Sequence, residues 1–124
     1  MPVYTTGLIT NTRAFGTAAT NAVVSVRNVG NSVASVIVVV YVVPMSTLTL
    51  TPLYVSSYSI APDNADIRSF NIAGNVAYEV QYNIDTTLTE AAISTYGLDE
   101  FGNLVTEQGV LQSELTPISA LSIS

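Results

Sequence analysis

One uninterrupted apolar run constrains the fold more than any other feature of the chain. In the eleven residues from Val33 to Val43, eight are Val or Ile, and Pro44 follows at once. β-Branched side chains favour strands, and a strand without polar alternation is buried on both faces. Because proline cannot donate a hydrogen bond to a neighbouring strand, we expect the strand to end there.

The outer face of this strand needs a cover, since outward-facing residues of a two-layer sandwich are normally polar. The cover is either loops of the same chain or a neighbouring subunit. Charged residues make up 10% of the chain, against about 25% in typical soluble domains. We favour the subunit contact, because so few charges are available to protect exposed faces and sheet edges.

β-Branched runs separated by turn residues recur along the chain, which is typical of a sandwich or barrel. In residues 76–84 one face carries Val76, Tyr78, Val80, Tyr82 and Ile84, and the other carries Ala77, Glu79, Gln81 and Asn83. We expect the first face in the core and the second in water. The loop at residues 73–75 contains Gly74, which can take the positive φ that a hairpin loop of this length uses. Residues 47–60, with an interruption at Pro52, and residues 104–115 are further expected strands.

The sequence therefore predicts an all-β protein, a single jelly-roll-type β-sandwich of about eight antiparallel strands with an extended N-terminal connector. The 124 residues fit one domain. We divide them into an N-terminal connector (1–20), the sandwich (21–117) and a C-terminal tail (118–124). The connector could pair as an extended peptide with a partner's open sheet edge. The alternatives are a loose terminus or a first strand of the same sandwich.

Charge is unevenly distributed between the two halves. Residues 1–62 contain two arginines and no acid, whereas residues 63–124 contain Arg68 and nine acids, and the net charge is −6. Nucleic acids and anionic lipids require clustered Lys or Arg, so neither is an expected partner. The basic-leaning front half could meet the acidic back half of a neighbour. The alternative is that the acids only keep the protein in solution.

No targeting signal or membrane span is evident. The N-terminus lacks the basic region and the long apolar region of a secretory signal peptide. The Val-rich run is shorter than the ~20 apolar residues that a transmembrane helix needs. We expect neither ordinary secretion nor a membrane partner.

The residue inventory restricts catalysis. The chain has no His, Cys, Lys or Trp, so catalytic triads, thiolate nucleophiles, Schiff bases and His-based metal sites are excluded. A glycosidase would need two carboxyl groups flanking a sugar, and the candidate pairs are Glu79 with Asp85 and Glu107 with Glu114. Nothing in the sequence indicates the burial that would raise a carboxyl pKa. We expect no enzymatic activity.

Two short motifs offer oxygen ligands for calcium, and four tyrosines could bind sugars. "DNAD" at residues 63–66 and "DEFGN" at residues 99–103 lack the spacing of a dedicated calcium loop. They are better interpreted as turns, and no metal or cofactor is expected. The tyrosines not assigned to the core are Tyr4, Tyr54, Tyr58 and Tyr96. Stacking on these rings makes a carbohydrate-binding module the alternative function.

One family resemblance suggests a function. An N-terminal extension precedes a domain rich in Val, Thr and Asn, with "RSFNIAGNVAYEVQYNI" at Arg68 to Ile84 and "YGLDEFGNLVTEQGVLQSEL" at Tyr96 to Leu115. This layout, with the segment "RSFNI", resembles the endospore appendage (Ena) fibre subunits of Bacillus-group spore-formers. Better-known members cross-link through connector cysteines, which this chain lacks, so it would belong to a cysteine-free branch.

The resemblance implies a structural protein that polymerises with itself into a pilus-like fibre on the spore surface or exosporium. Its partners would be further copies, and also an exosporium anchor and collagen-like tip proteins. Without cysteine, such a fibre would be held by strand augmentation and apolar packing. We expect Met1 to Phe15 to form the connector, with Val3, Tyr4, Leu8, Ile9 and Phe15 at the subunit interface. A viral or phage surface jelly-roll protein would show the same composition.

Overall fold

The structure is a computed structural model that describes residues 3–13, 17–85, 91–105 and 108–122. These residues form ten β-strands and one short 3-10 helix. The strands are β1 (Val3–Thr5), β2 (Ile9–Thr10), β3 (Asn21–Asn28), β4 (Ala34–Pro44), β5 (Thr51–Ile60), β6 (Ala65–Asn71), β7 (Asn75–Ile84), β8 (Ala91–Leu98), β9 (Val110–Leu111) and β10 (Thr116–Ile118). The 3-10 helix, Gln112–Glu114, lies between β9 and β10.

The strands form two antiparallel sheets. The larger sheet has the order β10-β1-β7-β4-β5, with β2 also paired to β7, and the smaller sheet has the order β6-β3-β8-β9. The prediction of an all-β sandwich is confirmed. Alternation explains the inward faces: Ala22, Val24 and Val26 of β3 are buried, whereas Ser25 and Arg27 lie on the outer face. The core also contains Phe70, Ile72, Ile84 and Ile93.

The Val-rich run forms the central strand β4, and its own chain covers it. Val39 and Tyr41 lie on the outer face, yet they are only 0% and 1% exposed in the single chain. Val39 pairs with Gln81 of β7. The Gln81 side-chain amide donates to the Ser122 hydroxyl (2.8 Å), and the Ser122 backbone N–H donates to Gln81 Oε1 (2.9 Å). The C-terminal segment therefore crosses this face, and the preference for a subunit as its cover is wrong.

The same segment changes the environment of β7. Tyr78, Val80, Tyr82 and Ile84 are buried in the core, as predicted. The opposite face is not in water as expected, because Gln81 and Ala77 are also buried. A polar residue such as Gln81 can be buried there since its amide is paired with Ser122.

Two expected strands are shorter than predicted, and one predicted loop is confirmed. Of the described residues between 104 and 115, only Val110–Leu111 form a strand, and the Gln108 side chain before them is buried, with its amide bonded to Asn11 Oδ1. The strand expected from residue 47 begins at Thr51, after Leu48 adopts a left-handed φ of 54°. The expected interruption at Pro52 is wrong, because Pro52 lies within β5 and pairs with Tyr41, where the register with β4 shifts. Gly74 has φ 83°, the positive value predicted for its loop.

Both terminal segments that were set apart from the sandwich pack onto it in their described parts. Strand β1 lies between β7 and β10 in the larger sheet, and β2 continues along β7. Ser122 lies on the outer face of β7 through its contacts with Gln81. In the single chain, the N-terminal segment is thus a first strand of the same sandwich, which was one of the alternatives to a connector.

Candidate assembly surfaces

The N-terminal segment is held along β7 chiefly by its main chain. Strand β1 pairs Val3 with Asn83 and Tyr4 with Tyr82 on one side, and Val3 with Ile118 on the other. The Thr6 backbone N–H donates to the Val80 carbonyl (3.0 Å). Further on, β2 pairs Ile9 with Tyr78 and Thr10 with Ala77. Nearly the whole length of β7 therefore receives this segment as a partner strand.

The five predicted interface residues do not share one environment. Val3 is buried, and Tyr4 and Ile9 are half-buried against the core. Leu8 is 60% exposed. Phe15 lies outside the described residues. Three of the predicted residues thus fix the segment to its own domain, and Leu8 alone among the described ones faces outward.

A buried polar network anchors the end of the segment. Asn11 is fully buried, and its amide donates to the Ala19 and Asn75 carbonyls while its Oδ1 accepts from the Ala19 N–H (2.7 Å). The Gln108 amide donates to Asn11 Oδ1, and the Tyr78 hydroxyl donates to Gln108 Oε1, both at 2.8 Å. Burial raises the pKa of Tyr78, which keeps the phenol protonated as a donor.

Sequence reasoning missed this network, since a single Asn and a single Gln in loops carry no periodic signal. The backbone leaves little space around it. A Cβ added at Gly97 would lie 2.0 Å from Gln108 Oε1 and 3.1 Å from the Ala19 Cβ. Glycine is therefore needed at this position of β8 so that the Gln108 amide can reach Asn11.

Glu79 and Asp85, the first carboxylate pair considered for glycoside hydrolysis, do not form a site. Glu79 accepts hydrogen bonds from the Thr5 hydroxyl and from the Gln81 amide (2.8 Å), whereas Asp85 accepts from the Ser35 N–H. Glu79 lies within β7 and Asp85 directly follows its end, so the two are six residues and about 20 Å apart. Glycosidases hold their carboxyl groups roughly 5–10 Å apart. Of the second pair, Glu107 lies outside the described residues.

Three of the four acids in the two turn motifs bind groups of their own chain. The Asp99 carboxylate accepts from the backbone N–H groups of Phe101 and Asn103, both at 2.9 Å. Glu100 pairs with Arg13 at 2.9 Å, and this hydrogen bond lowers the pKa of Glu100. Asp66 pairs with Arg68 at 2.8 Å. Within the described ranges, no three His, Cys, Asp or Glu residues are grouped so that they could hold a metal ion.

The tyrosines suggested as a sugar platform are all at least half-buried. Tyr54 packs against Phe70 with ring centroids 5.2 Å apart, and Tyr58 lies beneath the Arg68 guanidinium at 3.9 Å. Burial, with the nearby Asp66, raises the pKa of Tyr58 to about 12. Tyr4 and Tyr96 are also half-buried. A platform for sugar stacking needs exposed ring faces, which these residues do not offer.

The outer face of the smaller sheet carries a cleft of about 690 Å³. Its floor consists of small residues from β3 and β8, and its sides include Ile67 of β6 and Leu111 of β9; the main lining residues are Ser25, Arg27, Ala65, Ala92, Ser94 and Ser113. No pattern in the sequence marked this cleft, because its residues come from four separate strands and the 3-10 helix.

Strand β5 forms an exposed edge without charge. No residue of Thr51–Ile60 is charged, and on one side β5 has no strand partner among the described residues. Leu53 and Val55 are 46% and 60% exposed. Natural proteins usually protect such edges with charged residues, proline or a covering segment, and here Pro52 is the single such residue on the strand.

Comparison with protein-family models and with curated proteins finds no match. Among solved structures, the chain is similar to the crystal structure of Thermotoga maritima 1070, with 10% sequence identity and a TM-score of 0.47. The match covers 94% of this chain and 88% of that one. Within the described residues, no helix reaches the length and apolarity that crossing a membrane requires.

Proposed function

We propose that this protein is a structural subunit that polymerises non-covalently with copies of itself, through its N-terminal segment and apolar contacts between subunits. The observation that carries the proposal is the pairing of β1 and β2 along β7. This pairing is largely made by main-chain groups, so the same segment of another copy could make it equally well.

Exchange of an identical element between protomers is a low-cost route to assembly, because every contact of the monomer is reproduced. Strand β1 has three residues and β2 has two, so few hydrogen bonds must break before the segment can leave its own domain. Each copy would donate its segment to one neighbour and receive a segment from another. An open chain of such exchanges is a fibre.

The uncharged edge of β5 supports the same function by a second contact. Its exposed backbone groups and the side chains of Leu53 and Val55 form a surface on which another copy could extend the larger sheet. This would add lateral contacts between neighbouring subunits. The spore-surface location, the exosporium anchor and the collagen-like tip proteins are proposed on the family resemblance alone.

The test is removal of residues 1–8 followed by addition of a synthetic peptide of the same eight residues. We expect the truncated protein to form no fibres and the peptide to bind it at 1:1 stoichiometry, detected by isothermal titration calorimetry. The matched control is the same peptide with Thr6→Pro, which cannot donate the Thr6 N–H to Val80. We expect at least tenfold weaker binding for the control.

Two outcomes would refute the exchange of this segment. One is a truncated protein that still forms fibres like those of the full chain. The other is a truncated protein that is folded by circular dichroism and binds the natural peptide and the Thr6→Pro peptide equally well.

A further inference from the structure

We propose that the loop at residues 99–104 of one copy docks into the cleft on the smaller sheet of the next copy, with Phe101 as its apolar anchor and Arg27 as its charged partner. This inference deepens the proposed function and rests on the assembly of copies. It names a contact separate from the N-terminal segment and from the edge of β5.

The cleft is large enough to receive a short loop, and its lining suits a bulky apolar side chain at the tip of that loop. Across its floor, Ser25 lies between Ile67 on β6 and Ser94 on β8, so small side chains are flanked by larger ones. Ile67 and Leu111 are 71% and 51% exposed. An aromatic side chain placed between them would bury apolar surface on both partners.

Arg27 gives the cleft a charge preference. The other two arginines of the chain are paired, Arg13 with Glu100 and Arg68 with Asp66. Within the described part of the chain, Arg27 has no ion pair, although the protein carries a net charge of −6. A cation beside an apolar cleft favours a ligand that combines an apolar group with a nearby acid.

The loop at residues 99–104 presents that combination. Phe101 is 80% exposed, the highest value among the large apolar residues that the structure describes. Asp99 and Glu100 precede it directly, and with Arg13 paired to Glu100 the loop still has a surplus negative charge. The Asp99 carboxylate holds the backbone of Phe101 and Asn103, so the loop is shaped before it binds, which reduces the entropy lost on docking.

The loop and the cleft lie at separate places on each copy, so contacts between them can build an open polymer. Residues Ala92–Ser94 of β8 line the cleft, whereas the loop follows the end of β8 at Leu98. They are therefore separated by about 20 Å along the same strand. A contact between two different surfaces of the same chain is heterologous, and unless its rotation closes a ring it repeats without end. Each added copy would present a new loop and a new cleft.

The absence of cysteine from the chain allows a direct test by disulfide trapping. We would introduce Asn103→Cys, beside Phe101, together with Ser113→Cys at the cleft, and oxidise the full-length protein at a concentration at which it assembles. Both positions are exposed. We expect a ladder of dimers, trimers and higher oligomers on non-reducing SDS gels that collapses to monomer with reductant. The matched control combines Asn103→Cys with Ser57→Cys, at an exposed serine on β5. It should give at least tenfold less cross-linked oligomer.

The outcomes separate this inference from the proposed function. The docking of the loop is supported if the Asn103→Cys, Ser113→Cys protein forms the ladder and the additional substitution Arg27→Glu reduces it at least fivefold. Fibres that form normally with equal, low cross-linking in both cysteine pairs overturn the docking and leave the proposed function standing. A protein that stays monomeric at all concentrations overturns both.

Discussion

The core tyrosines differ at the level of a single hydroxyl group. Tyr82 is fully buried and its hydroxyl is hydrogen-bonded to the Thr95 hydroxyl. The Tyr58 hydroxyl is buried without a hydrogen-bond partner in the described part of the chain. A buried polar group without a partner is unfavourable, and a paired one becomes costly when its partner is removed.

We therefore expect opposite effects from the same substitution at these two residues. Tyr82→Phe leaves the Thr95 hydroxyl buried and unpaired, so the free energy of unfolding should fall by about 1–3 kcal/mol. Tyr58→Phe removes an unpaired hydroxyl and should leave the free energy unchanged or raise it by up to about 1 kcal/mol. Urea denaturation of both variants checks this, and equal destabilisation by the two would contradict the assignment.

For single residues, the sequence predicted burial where the side chain lies in a strand of alternating apolar and polar residues. It did not predict burial for side chains in loops. The burial of Tyr78 and Tyr82 was predicted because both share a face with Val80. The burial of Asn11 and Gln108 was not, since their environment depends on how distant loops meet. Tyr54 and Tyr58 were not assigned to the core from the sequence, and the structure packs both, half-buried, against it.

Strands β4 and β5 show how the position of a strand in a sheet determines the exposure of its outer-face side chains. Val39 and Val55 are cross-strand partners on the outer face of the larger sheet. Val39, on the central strand, is 0% exposed, whereas Val55, on the edge strand, is 60% exposed. The apolar run predicted a strand buried on both faces, but periodicity could not identify the C-terminal segment that crosses β7 beside it.

Substitutions of Val39 and Val55 test whether the C-terminal segment covers the outer face at Val39. Val39→Ala should lower the free energy of unfolding by roughly 1.5–3 kcal/mol, because it removes fully buried methyl groups and leaves a cavity. Val55→Ala should change it by less than about 0.5 kcal/mol. Chemical denaturation of the unassembled protein measures both. A similar effect at the two positions would show that the outer face at Val39 is open to solvent.

At the scale of the whole molecule, several surfaces are available for contact with another copy. They are the N-terminal segment on β7, the uncharged edge of β5, and the loop and cleft on the smaller sheet. The fold class and the six long strands β3–β8 were predictable, since each has its own apolar pattern. The cleft and the pairing of β1 were not, because they depend on which strands become neighbours, and local patterns do not encode that order.

Imaging of the full-length protein shows whether it assembles with itself. Purified protein should be examined by negative-stain electron microscopy over a series of concentrations, before and after boiling in SDS. We expect long fibres of uniform width that form without ligand and that are absent when residues 1–8 are removed. Isolated particles of monomer size at every concentration would contradict self-assembly.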